Sequence, residues 1–194
     1  MPNYAVHREH SADAINRVVN HPEVRPWVGA VEAGDLDLSA LIANTANVLL
    51  MGEGGGFVFV QQEPGIYEVH TQFLPEARGE NVIAAAHDAA RFMFTRTDCV
   101  EIRSKVPEGN VAASAFARKM GWELQFKRDK AWPTPAGAVA CSYYAKTINQ
   151  WANTAPGIAE TGHWFHEKLE AAKIAAGSET PIHADDEAHD RYVG

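Results

Sequence analysis

The sequence predicts a mixed α/β layer domain, ordered as N-terminal helices, an antiparallel β-meander, a central β-α-β-α-β unit and a C-terminal helical extension. Three observations carry this. Between Asn47 and Phe73, apolar and β-branched runs alternate with Gly and Pro turns too short for crossover connections. From Gly79 to Arg96 the apolar period changes to that of a helix. Strand-like and helix-like stretches then alternate as far as Lys146. Of 194 residues, 46% are hydrophobic and 22% charged, enough apolar surface for a core and too little charge for a disordered chain.

The elements follow in order. Ser11 caps a helix over residues 11–20, with Ala14, Ile15, Val18 and Val19 on one face and His21-Pro22 as its stop. Residues 24–29 read as a loop anchored by Trp27. Asp37 or Ser39 starts a short helix with Leu38, Leu41 and Ile42 inward. Strands over 47–51, 57–61 and 67–73 are joined by a glycine turn at 52–56 and a Pro64-Gly65 turn. In the helix over 79–96, Ile83, Ala86, Ala90, Met93 and Phe94 share a face, and its alanines allow close approach to a sheet. A strand at 99–104 precedes a helix at 110–120, with Ala113, Phe116 and Met120 inward and Gly121 as stop. Strands at 122–127 and 139–146 flank a Pro-rich turn at 132–137. The chain divides into a body, 1–148, and an extension, 149–194, with a helix at 162–176 and a polar tail.

Charge and cysteine content exclude several classes. Seventeen basic and 25 acidic residues give −8. Residues 177–194 hold five acids and one base, so the tail carries −4, half of that total. Such a chain is ill suited to wrapping nucleic acid. Cys99 and Cys141 make neither a disulfide framework nor a thiolate zinc site, which fits a reducing interior. No basic-then-apolar leader opens the chain, and no apolar run approaches the roughly 20 residues of a membrane span. A cytoplasmic protein without membrane partners is expected.

Two stretches point to chemistry. At residues 71–83 a strand ends, Pro75 breaks the ladder, Arg78-Gly79 turns and a long helix opens. A helix N-terminus can hold a pyrophosphate, but taken alone this segment reads as an ordinary strand-to-helix connection, because phosphate loops usually need glycine for close approach. The second stretch is Asn110-Val111-Ala112-Ala113-Ser114-Ala115-Phe116-Ala117-Arg118-Lys119-Met120-Gly121-Trp122. Asn, Ala three on, an aromatic at six and Gly-aromatic at eleven resemble the signature of the GCN5-related N-acetyltransferase (GNAT) superfamily. The order of elements fits that family over roughly residues 10–147.

The resemblance implies a GNAT-like fold with acetyl-CoA as cosubstrate, held in a V-shaped cleft between the fourth and fifth strands. It implies that Phe73 and Leu74 offer backbone groups to the pantetheine arm. It implies that Arg78, Gly79, Glu80, Asn81, Val82 and Ile83 hold the pyrophosphate, and that Asn110 meets the cofactor arm. An amine on a small molecule or a protein would attack the thioester directly, with a fourth-strand carboxylate or His as base. Period two places Glu68, His70 and Gln72 on one strand face, and a fourth-strand bulge of the kind common in the family would shift that parity. His70 and Glu68 are therefore the base candidates, although no orienting partner for His70 is evident. Three positions depart from the family pattern. Asn81 and Ile83 stand where the loop has Gly, and Ala117 stands where many members carry an acidic Tyr.

The extension holds Trp151, His163, Trp164, Phe165 and His166, an aromatic cluster that either docks a helix on the body or forms a binding epitope. Residues 183–190 mix His and Asp, which read as a solvated acidic tail rather than a metal site. Residues 20–27, Leu74-Pro75-Glu76, Phe92-Met93-Phe94-Thr95 and the tail resemble GNAT-like proteins of tailed bacteriophages, encoded among head and internal virion genes. That narrower resemblance implies an alternative function. A GNAT scaffold with a degraded site would serve in virion structure or assembly, binding virion proteins or a second copy through 149–194.

Overall fold

The structure is a computed structural model that describes residues 5–28, 34–134 and 136–178. Gly29 of the expected Trp27 loop, Pro135 of the expected Pro-rich turn, and the tail with its His/Asp mixture at 183–190 lie outside the described residues.

Seven strands make one sheet: β1 (His7–Glu9), β2 (Val48–Gly52), β3 (Gly55–Glu63), β4 (Ile66–Phe73), β5 (Glu101–Pro107), β6 (Glu123–Thr134) and β7 (Gly137–Thr147). Their spatial order is β1-β2-β3-β4-β5-β7-β6. Every pair is antiparallel except β4 and β5. That pair is parallel because α3 (Glu80–Arg96) crosses between them, and a crossover of this length is what parallel strands require.

Period-two alternation sorts the core onto the two faces. Leu49, Met51 and Val58 pack with Ile15, Val18 and Val19 of α1 (Asp13–Val19) and with Leu38, Leu41 and Ile42 at α2 (Ser39–Ala43). Leu50, Phe57, Phe59, Tyr67, Val69 and Ile102 face the other way, against Ala85, Ala86, Ala89 and Met93 of α3. The alanines let that helix lie on the sheet. Further along the same face, Val106 and Tyr144 meet Ala117 of α4 (Val111–Lys119). α5 (Ile148–Ala152), α6 (Ala155–Ile158) and α7 (His163–Ser178) close the fold. Trp151 and Phe165 are buried beside Phe94, with ring centroids 5.5 Å apart for Trp151–Phe94 and 5.4 Å for Trp151–Phe165. These aromatics dock the extension, while Trp164 stays half-exposed. No helix among the described residues is long and apolar enough to cross a membrane.

The structure corrects several expectations. The first element is β1, a strand too short and too polar to show a pattern. Helix α1 starts at Asp13, because the Ser11 hydroxyl accepts from the Asp13 N–H and so sits one position outside the cap. Trp27 is 50% exposed in a 3-10 turn rather than anchored. Only Glu53 and Gly54 form the turn between β2 and β3. Gly55 and Gly56 belong to β3, where a Cβ would lie 2.2 Å from the Gln72 carbonyl oxygen and 2.6 Å from Met51 Sδ. β6 runs through Trp132 to Thr134, with Pro133 opposite Ala138. Pro is tolerated there because β6 is an edge strand. β5 starts at Glu101, not at Cys99, and extends to Pro107.

Candidate active site

β4 and β5 pair only at Ile66–Glu101, Tyr67–Ile102 and Glu68–Arg103. Beyond that point β4 stays on β3 to Phe73, while β5 stays on β7 to Pro107, so the two strands part. A cavity of ≈ 110 Å³ occupies the opening. Its walls include Val69 and His70 from β4 and Lys105 and Val106 from β5, residues of both faces. Neighbours within one paired sheet could not expose both. The opening therefore connects the α4 side, where Asn110 and Ala117 stand, with the opposite face, where Trp27 and Trp132 stand.

The exposed edge of β4 offers backbone groups to this opening. The Leu74 N–H donates to Gly54 at 2.9 Å, which fixes the phase of the antiparallel ladder. By alternation, Val69, Thr71 and Phe73 turn their N–H and C=O groups towards the parted β5. The Phe73 carbonyl accepts from Arg78 Nε at 3.3 Å. Leu74 is placed differently from Phe73. Its N–H is held by Gly54 and its carbonyl accepts from Ala77 at 3.0 Å, so neither faces the cleft.

Glu68 and His70 share a face as period two requires, and β4 pairs with β3 in even register from Tyr67 to Phe73. Glu68 is buried, with Oε1 3.6 Å from His70 Nε2 and Oε2 3.1 Å from Lys105 Nζ. The charged neighbour of His70 is thus the carboxylate two residues before it, beyond hydrogen-bond length. The Lys105 ammonium compensates the buried charge. Loss of hydration in the cleft holds the His70 imidazole below its ordinary protonation range, with Glu68 opposing and Lys105 assisting. A neutral imidazole at neutral pH can accept a proton from a reacting amine. Sequence reasoning missed Lys105. Its signal was the period-two set Glu101, Arg103 and Lys105, which only the β4–β5 register sets beside Glu68.

The strand-to-helix junction adds a second feature. Gly79 has φ +92° and ψ −135°, and nothing lies within 4 Å of the place where a Cβ would be. Only glycine takes that conformation without strain. The first α3 hydrogen bond runs from Ile83 N–H to Gly79, so the N–H groups of Glu80, Asn81 and Val82 head the helix. The side chains of Val82 and Ile83 pack into the core, which turns the bulk of Ile83 away from the outer surface of the turn. Arg78, Gly79, Glu80 and Asn81 are exposed. Asn110 caps α4, its Oδ1 accepting from Ala113 N–H at 3.0 Å. Of the expected residues, His70 and Asn110 line the cavity, while Phe73, Leu74 and residues 78–83 lie outside its lining. Ala117 gives the wall no hydroxyl. Among the described residues, no three His, Cys, Asp or Glu side chains come together as a metal site.

No family model and no curated protein sequence matches this chain. Solved structures do. A GNAT-family acetyltransferase from Bacillus anthracis is 16% identical, covering 76% of this chain and 97% of its own, with a TM-score of 0.60. A ribosomal-protein-S5-alanine acetyltransferase from Vibrio fischeri is 13% identical over 75% of this chain and 93% of its own, at 0.60. A spermidine N-acetyltransferase variant from Vibrio cholerae is 12% identical over 76% and 97%, at 0.63. At such identities the likeness is one of fold: the chain has the mixed α/β fold of the GNAT acetyltransferases.

Proposed function

We propose that the chain is an acetyl-CoA-dependent N-acetyltransferase. The observation that carries this reading is the parting of β4 and β5 after Glu68–Arg103, with His70 on the wall of the opening. Acetyl-CoA, when bound, supplies the thioester carbonyl. The residues present suit it. The β4 edge at Val69, Thr71 and Phe73 offers amide groups to the pantetheine arm. The N–H groups of Glu80, Asn81 and Val82, with Arg78 beside them, suit the pyrophosphate. The amine nitrogen attacks the carbonyl carbon, the C–N bond forms, the C–S bond breaks and CoA leaves as thiolate. His70 takes the amine proton, and the Glu68 carboxylate 3.6 Å away stabilises the imidazolium that forms. With Ala117 in place of a Tyr, water protonates the thiolate.

Calorimetric titration with acetyl-CoA, and separately with CoA, tests this. The expected result is saturable binding in the micromolar range common among enzyme substrates, weakened in Arg78→Ala. A flat titration to millimolar ligand overturns it.

A second reading rests on a different observation. Ile158 and Ile174 are 74% exposed and Trp164 is 47% exposed, all on the extension. Such side chains favour a protein-binding role for 149–194, towards phage virion proteins or a second copy, in a virion or an infected cell's cytoplasm. Light scattering on wild type and an Ile158→Ser/Ile174→Ser double variant discriminates. Assembly lost in the variant supports this reading, and a monomer in both sinks self-association.

A further inference from the structure

Two tryptophans are among the residues that line the cavity. Trp27 comes from the 3-10 turn after α1 and is half-exposed, and Trp132 comes from the far end of β6. Pairing with Val139 puts Trp132 on the same sheet face as Tyr143, and therefore as Lys105 and His70. Tyr143, outside the lining, stands on this face with Lys105 Nζ 5.9 Å from its ring centroid and is stacked on Phe126 at 4.4 Å. Two indoles lining one cavity give flat apolar area to a ligand.

The charges at the mouth narrow the ligand further. No carboxylate is among the described residues that line the cavity, where His70 and Lys105 are the ionisable side chains. Glu68 lies deeper, within 4 Å of both. Arg103 and Glu101 pair with each other at 2.5 Å. A second ammonium on the ligand would find Lys105 and no free anion to meet it.

From this mouth we infer that the acceptor is a primary amine on a flat, apolar body with no second cationic group. This rests on the acetyltransferase reading and names its substrate class. The product is the N-acetyl amide, with CoA thiol released.

The test is direct binding, so that it can fail separately from the transferase reading. Phenethylamine and spermidine are each titrated calorimetrically into the full chain, alone and with millimolar CoA. The expected result is saturable phenethylamine binding, tighter than spermidine by roughly tenfold or more. Trp27→Ala and Trp132→Ala should each weaken it several-fold while circular dichroism stays unchanged, and Lys105→Glu should shift preference towards spermidine. Equal or tighter spermidine binding overturns the inference. So does phenethylamine binding untouched by both tryptophan variants, or no binding of phenethylamine in either condition. Phenethylamine binding together with a flat acetyl-CoA titration would sink the transferase reading instead.

Discussion

The ammonium of Lys168 in α7 donates to the carbonyl of Cys99 at 2.9 Å, sixty-nine residues earlier in the chain. It also donates to Thr97 at 3.0 Å and to Phe94. Three carbonyls at and beyond the end of α3, which its own helix leaves unpaired, are met by one side chain of the extension. Lys168→Met keeps the apolar stem and removes the donors. The expected loss is about 1–3 kcal/mol from unsatisfied carbonyls, seen as a lower Tm, at about 2–4 °C per kcal/mol for a chain of this size. An unchanged melt would mean that water replaces the ammonium.

Lys168 also carries a signed pH prediction. Burial brings its folded-state pKa down to about 8, with Cys99 and Asp98 partly opposing, against about 10.4 in an unfolded chain. Between those values the unfolded chain holds more protons, so this group makes stability rise with pH. Below about pH 8 the ammonium is charged in both states and its dehydration cost is fully present. The stability difference between wild type and Lys168→Met should therefore move in favour of wild type as pH rises from about 8 to about 10. Parallel denaturant titrations across that range check the sign.

Gly55 explains the glycine run better than the turn does. A Cβ there would lie 2.2 Å from the Gln72 carbonyl oxygen and 2.6 Å from Phe73 Cα, both on the strand that forms the cleft edge. Gly55→Ala should cost about 1–3 kcal/mol through overpacking. It should also weaken acetyl-CoA binding, because the shift falls on Phe73. A thermal melt and a titration together test this, and a loss of stability alone would place the strain elsewhere.

The regular parts of the fold were legible because they rest on period. The meander, the apolar face of α3 and the helix that follows Asn110 are set by local spacing. β1 was hidden because His7, Arg8 and Glu9 carry no apolar signal and are strand only through pairing with β2. β6 shows only a short strand signal because most of its residues are exposed on an edge, so burial imposes no alternation. At the site, Glu68 and His70 share a face by spacing alone. Lys105 joins them only through the parallel register, and the two mouth tryptophans only through tertiary folding, about a hundred residues apart.

His70 as base predicts an acid limb in kcat/KM below the ordinary His pKa of about 6.5, because lost hydration favours the neutral ring. Activity should rise with pH through that limb and be level by pH 7. His70→Gln should lower kcat by about 10²–10⁴-fold and abolish the limb. A variant of near wild-type rate would pass the role to Glu68 or to water.

Lys105→Met separates the two neighbours of His70. The ammonium pushes the imidazole towards its neutral form, while Glu68 pulls it towards the charged one. With Lys105 gone, the Glu68 carboxylate 3.6 Å away is opposed only by the imidazole's lost hydration. The His70 pKa should rise, and the acid limb of kcat/KM should move to higher pH, leaving the variant slower than wild type at pH 6 and closer to it at pH 8. The same shift should appear in the imidazole proton resonances of His70, which do not depend on turnover. A limb that stays in place while the rate falls at every pH would mean that Lys105 acts on the acceptor and not through His70.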